Sequence, residues 1–357
     1  MGDYYMRKII ITAVFSALVI TLYACGGGGG STPATTPNPI QQISGFNQTY
    51  TSSLSMGEVV NMTVDTSNNS FNYTVIKSQY GCEIMSAQCH SDSGSISKDP
   101  DGTYSGTGSH SNIKFFALQN GSFVGKLLIT GFPEVQIVGV ANPLTQSPHV
   151  GPTTLNFIGN FCQTANRGVR DNTCADKIGT LKMSNMQYSM CIGDDIDKAT
   201  PSCTTANGKL TTGTIAPSDT TGVWAFAKTG SNSSNYLIGF KAPNNQVIAI
   251  IDFNDGDTGG YGYGQLTASS KEAVSPALRL TNAGNWLLYG LAKTGATVFT
   301  VNEDGTGQAG ETYIPNTPWD GFLTSSDTGV LIMAGTGVVM YGKEGGHNNY
   351  MIGMKMK

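Results

Sequence analysis

The sequence predicts an all-β protein of antiparallel hairpins, folded into sandwich- or barrel-like domains and stapled by disulfides. Three observations carry this. From Ile40 onward, short runs of alternating apolar and polar residues are separated by turn-forming clusters such as Asp99-Pro100-Asp101-Gly102. Charged residues make up only 12% of the chain, about half the usual share, and Gly, Ser, Thr and Asn take their place. No stretch sustains the periodicity of an amphipathic helix; only Ser269 to Ala273 reads as a short helical turn.

The chain opens differently. Arg7 and Lys8 precede an uninterrupted apolar and small-residue run from Ile9 to Ile20. That run is too short to span a bilayer core and has the length of a signal-peptide hydrophobic region. Leu22-Tyr23-Ala24-Cys25 follows. It resembles the lipobox of bacterial lipoproteins: an aliphatic residue, a bulkier residue than usual in Tyr23, a small residue, then the cysteine. The resemblance is to proteobacterial lipoproteins as a class. It implies a signal peptide over residues 1–24, cleavage before Cys25 and fatty acylation of Cys25, with the lipid bilayer as partner. It transfers no fold and no activity. Met6 makes a cleaner start than Met1, because Asp3 sits ahead of the basic region. The alternatives are an ordinary secretory peptide that leaves Cys25 a free thiol, and an uncleaved anchor.

Residues 25–45 then form a leash. Gly26 to Gly30 is flexible coil, and the Pro- and Thr-rich stretch from Ser31 to Pro39 is stiffer and extended. Several fatty chains on one cysteine hold a protein well beyond the marginal grip of a single chain. Gly26, rather than Asp, after the cysteine favours the outer membrane by analogy with the enteric sorting rule. A lipidated cysteine followed by a glycine run is also similar to surface-displayed lipoproteins of some Gram-negative bacteria. The face of the membrane that displays the body stays open.

Removing residues 1–24 takes away Arg7, Lys8 and Asp3, so the formal charge moves from −4 to −5. A mildly acidic chain without a basic block argues against nucleic acid as a partner. Beyond Cys25 stand Cys82, Cys89, Cys162, Cys174, Cys191 and Cys203. An even number in an exported chain reads as disulfides, and the clustering favours sequential pairs, 82–89, 162–174 and 191–203. Zinc is disfavoured, since no CxxC occurs and only His90 lies near these thiols.

Along the body, Phe71 to Val75 alternates, and Ile113 to Leu118 and Phe123 to Ile129 flank Gln119-Asn120-Gly121, a hairpin turn signal. Residues 46–150 form an N-terminal β region ending in the proline-rich Pro143 to Pro152. Residues 151–228 form a cysteine-containing β region, with strands at Leu155 to Phe161, Ile178 to Met183 and Met186 to Cys191. Residues 229–357 form a C-terminal β region with hairpin repeats, and an internal echo runs into it from the region before. Trp224 leads an apolar strand into Ala227-Lys228-Thr229-Gly230, and Trp286 leads another into Ala292-Lys293-Thr294-Gly295. A further hairpin joins Gly329 to Met333 with Gly337 to Tyr341. A true repeat here points to a β-propeller-like arrangement as the alternative fold.

Candidate chemistry is sparse. Asp252, Asn254, Asp255 and Asp257 place four oxygen-bearing side chains in six residues, a weak calcium candidate. The EF-hand pattern fails, with Gly256 and Asp257 in exchanged places, and an exposed turn is the commoner reading. Asp257-Thr258-Gly259 and Asp327-Thr328-Gly329 lack the apolar residue that precedes each triplet in aspartic proteases. The histidines are scattered, and neither HExxH nor GxSxG occurs. Tyr261 and Tyr263, on a glycine-rich frame, are weak candidates for stacking on a sugar or a partner chain. No catalytic residue, no metal site beyond that candidate and no cofactor is assigned. The expected role is a non-enzymatic binding or structural one toward a protein or glycan ligand. The alternatives are an envelope hydrolase of glycans or peptides and an outer-membrane assembly factor.

Overall fold

The structure, a computed structural model, describes residues 45–78, 91–118, 121–131, 134–146, 153–164, 175–230, 235–241, 247–255, 261–271, 283–290, 297–304, 306–307, 311–325, 329–334, 338–342 and 350–355. All of them fall in the compact unit Pro39–Lys357. They form two closed antiparallel barrels and one open sheet.

The first barrel runs in chain order through β1 (Asn47–Leu54), β2 (Glu58–Asp65), β3 (Ser70–Ser78), β4 (Ser91–Lys98), β5 (Tyr104–Gly108), β6 (Ser111–Ala117), β7 (Ser122–Ile129) and β8 (Val135–Val140). It closes where Thr51 pairs with Val140 and Leu54 with Ile137. Turn chemistry sets the register. In the β4–β5 turn, Gly102 adopts a φ of 85° and donates to the Asp99 carbonyl at 3.0 Å. Between β2 and β3, the Asp65 carboxylate accepts from the Ser67 and Asn68 amides at 2.9 and 3.0 Å.

The second barrel comprises β9 (Thr153–Thr164), β10 (Ala175–Ser184), β11 (Gln187–Ile192), β12 (Leu210–Pro217), β13 (Trp224–Lys228), β14 (Asn235–Lys241), β15 (Val247–Asp255) and β16 (Tyr261–Ser270). It closes through β9 against β16, from Tyr261 opposite Thr164 to Ser270 opposite Leu155. The open sheet has the order β18 (Thr297–Val301), β17 (Gly284–Gly290), β23 (Met351–Lys355), β22 (Val338–Gly342), β21 (Val330–Ala334), β20 (Leu323–Ser325), β19 (Tyr313–Pro315).

The propeller alternative is therefore corrected. The two Trp-led strands, β13 and β17, lie in different sheets and share only the generic form of a hairpin. The boundary drawn after Lys228 falls inside the second barrel, where Trp224 pairs with Leu237 across β13 and β14. Pro143 to Pro152, by contrast, spans the gap between β8 and β9. The helical turn expected from Ser269 is also corrected: Ser269 and Ser270 end β16, held opposite Asn156 and Leu155.

Each barrel is filled by its own side chains, as eight strands allow. In the first, Phe115 stacks against Phe123 at 5.0 Å, and Tyr50 and Tyr104 extend the cluster. In the second, Tyr188 stacks on Phe226 at 3.6 Å, and Phe253 meets Phe226 edge-on at 6.1 Å. Gly213 makes that fit possible, because a Cβ there would overlap the Tyr188 ring and the Ala227 carbonyl. A third apolar cluster joins the sheets. Phe116, Val124 and Val138 of the first barrel meet Phe240 and Ile250 of the second and Leu287, Tyr289 and Ile352 of the open sheet. Strands buried on both faces read as continuous apolar runs, and Val247-Ile248-Ala249-Ile250-Ile251 is one.

Candidate interaction surface

The joint between the sheets is sealed and polar in places. Gln265 of β16 donates to the Ser53 carbonyl and Ser53 Oγ, both at 2.9 Å, tying the second barrel to the first. Asn156 of β9 accepts from the Trp319 indole at 2.8 Å and donates to the Asp320 carbonyl at 2.7 Å. The Thr267 and Tyr350 hydroxyls share a hydrogen bond at 2.8 Å. Gln136 of β8 donates to the Tyr289 carbonyl at 2.9 Å. At the margin, Lys77 pairs with Asp219 and lies 5.9 Å from the Tyr236 ring centroid.

Three carboxylic acids are enclosed in this joint: Asp176, which accepts from Asn160 at 2.8 Å, and the pair Glu58 and Asp252. Glu58 and Asp252 are 0% and 1% exposed. Burial first, and then the Glu58 charge, push the Asp252 carboxyl well above the ordinary carboxylate range. Facing carboxylates are what acid–base hydrolysis uses. These two are closed off from solvent, and neither the groove described below nor the small void between the barrels is lined by them.

Asp252, the first residue of the weak calcium candidate, has its side chain buried in the joint. β15 continues through Asp255, with Asp252 opposite Gln265 and Asn254 opposite Tyr263. Strand alternation sends Ile251 and Phe253 into the barrel, which leaves Asp252 on the outer wall, against the first barrel. Among the described residues, no group of three or more His, Cys, Asp or Glu side chains is placed to hold a metal ion. Asp257 lies outside the described residues. Tyr261 and Tyr263 fall in β16 opposite Thr164 and Cys162, and only their backbone is described.

Cys191 and Cys203 form a disulfide, with Cα atoms 5.5 Å apart. It closes the β11–β12 connection, where Asp195 and Lys271 pair at 2.6 Å and Lys198 meets Asp194. Cys25, Cys82, Cys89 and Cys174 lie outside the described residues, and the Cys162 side chain is not described.

Among the described residues, both barrels are filled, and a concave surface opens on the exterior. On the first barrel, outward positions alternate with core positions along each strand. β4 exposes Ser91, Ser93, Ser95 and Ser97 in succession. Its neighbours continue the pattern, with Asn72 opposite Ser93 on β3 and Thr107 opposite Ser95 on β5. A membrane-spanning barrel shows the reverse arrangement, apolar outside and polar within.

Where this face reaches the open sheet, a groove of about 270 Å³ opens. Asn112, Lys114, Lys126, Leu128 and Glu134 line it on the barrel side, and Tyr289 on the sheet side. Lys126 is 4% exposed and donates to Glu134 at 2.7 Å. Lys114 lies 3.4 Å from Asp99 and 3.7 Å from Asp101. Sequence reasoning missed this groove, because its walls come from β5–β8 and from β17, far apart in the chain. Neither a protein-family model nor a curated protein matches this chain.

Proposed function

We propose that this chain is a lipid-anchored protein of the bacterial outer membrane whose two-barrel body has a non-enzymatic binding or structural role. The observation that carries it is the stretch Met6 to Ser31: a basic start, an apolar run, Leu-Tyr-Ala-Cys and a glycine leash. Acylation of Cys25 would fix the chain to the bilayer with no need for the body to enter it. The polar exterior of β3–β5 suits such a tethered body. Side-chain-filled barrels favour presentation of an outer surface over carriage of a ligand in a lumen.

The test is metabolic labelling of full-length protein with a palmitate analogue, in wild type and Cys25→Ser. Label on the wild type alone, together with loss of membrane retention in the variant, is expected. Equal labelling of both, or membrane retention of unlabelled protein, overturns the lipid anchor. Protease shaving of intact cells then distinguishes surface display from an inward-facing body.

A further inference from the structure

The groove beside Tyr289 carries three features that a solvent-facing wall of β-sheet does not need. It is concave, and its volume of about 270 Å³ lies just below the usual range for small-molecule sites. It contains Leu128, which at 40% exposure is one of two large apolar side chains left exposed among the described residues. Its charges are internally matched: Lys126 pairs with Glu134, and Lys114 sits between Asp99 and Asp101. Such pairs present donors and acceptors side by side, and two lysines against three carboxylates leave no surplus positive charge to select an anion.

An apolar patch framed by paired donors and acceptors, without surplus positive charge, matches a neutral pyranose ring. Its C–H face lies on an aliphatic surface, and its hydroxyls each donate and accept. The amide of Asn112 adds one more donor and acceptor at the rim. Beyond the groove the hydroxyl face continues. Ser105 and Thr107 on its floor lie opposite Ser97 and Ser95 on β4, and Ser93 and Ser95 lie opposite Asn72 and Ser70 on β3. Strand spacing repeats these groups every 4.8 Å or so, close to the advance of one sugar in an extended glycan.

We propose that this groove binds one ring of a neutral oligosaccharide, with the hydroxyl- and amide-lined face of β3–β5 receiving the adjoining rings. The proposal rests on the binding role above and names its ligand class. Asn112 supplies a donor and an acceptor, Glu134 an acceptor that the buried Lys126 holds in place, and Leu128 the apolar contact.

The test uses full-length chain in a detergent without sugar headgroups, applied to an array of neutral, sialylated and sulfated oligosaccharides. Retention on neutral structures is expected. Asn112→Ala and Leu128→Ala, both at exposed positions, should each weaken it about tenfold, the loss of one or two polar or apolar contacts. Ile314→Ala, at the other exposed apolar position, should leave it unchanged. Absence of neutral glycan binding, binding confined to anionic glycans, or equal binding by the groove variants overturns the proposal. Capture of a protein ligand that the groove variants do not diminish sinks the saccharide site and leaves the binding role standing. Loss of Cys25 labelling without loss of glycan binding does the converse.

Discussion

Asn156 offers a sharp test of how the sheets are joined. Its side chain is fully enclosed and satisfied at both ends, by the Trp319 indole at 2.8 Å and the Asp320 carbonyl at 2.7 Å. Asn156→Leu keeps the branched shape and heavy-atom count and removes both bonds. It leaves the Trp319 N–H, a donor with no alternative partner of its own type, and the Asp320 carbonyl without their acceptor and donor. The buried Trp319 N–H left without a partner costs roughly 1–3 kcal/mol, while the carbonyl of the exposed Asp320 can turn to water. The net expectation is a loss of about 1–3 kcal/mol, a sizeable part of the roughly 5–15 kcal/mol that holds a typical protein folded. Denaturant unfolding followed by tryptophan fluorescence measures it, and the slope with denaturant should stay the same, since the surface exposed on unfolding does not change. Thr212→Ala, on the exposed wall of β12, should stay within about 0.5 kcal/mol of wild type. A loss below about 1 kcal/mol for Asn156→Leu would show that these bonds merely offset desolvation, and the joint would then owe its strength to apolar packing alone.

Two further outcomes follow from named groups. Asp252 has a folded pKa above its unfolded value, so the folded state holds its proton over a pH window where the unfolded chain has released it. Its contribution is therefore complete below the unfolded value near 3.9 or so and is lost as pH rises through the folded value. Asp252→Asn should gain stability relative to wild type, more at pH 8 than at pH 5, in denaturant titrations; an equal difference at both pH values refutes the buried-acid reading. Asp92 and Asp194 are lowered, since hydrogen bonds from Ser111 and the His110 amide, and from Lys198 and the Ser202 amide, outweigh burial. Their stability is lost below pH 4 or so, outside that comparison. Removing the Cys191–Cys203 link, with twelve residues of separation, by the double Ser variant should cost about 3 kcal/mol. An unchanged thermal midpoint would mean that the Asp195–Lys271 and Asp194–Lys198 pairs fix that connection unaided.

The fold class was legible because turn chemistry and alternation are local. Asp99 to Gly102 makes its turn wherever the rest of the chain goes, and Gly121 donates to Leu118 at 3.0 Å where the β6–β7 turn was expected. β4 escaped notice because serine has little strand preference of its own, and Ile96 is its one core side chain. It is a strand because β3 and β5 pair with it on both sides. Barrel closure was illegible for a related reason: β1 meets β8, and β9 meets β16, through registers set by core packing over long separations. The Trp224 and Trp286 echo misled because a tryptophan-led hairpin suits either sheet. The burial of Asp252 was illegible because the stretch Asp252 to Asp257 reads as a turn rich in side-chain oxygens, and only the neighbouring barrel shows that its carboxyl is walled in. The groove at Tyr289 requires the barrel and the open sheet together, so no stretch of sequence contains it.

The arrangement of the open sheet imposes an order on assembly. Each barrel is built from strands consecutive in the chain, so each can close as soon as its own eight have emerged. The open sheet cannot do this. β23, the last described strand, is wedged between β17 and β22 and is their sole bridge, so β17 and β18 lack their inner neighbour until it arrives. Ile352 of that strand also belongs to the cluster shared by all three sheets. A chain folding from its N-terminal side would thus carry two finished barrels already joined through Gln265 and Ser53, and β23 would complete the open sheet against them.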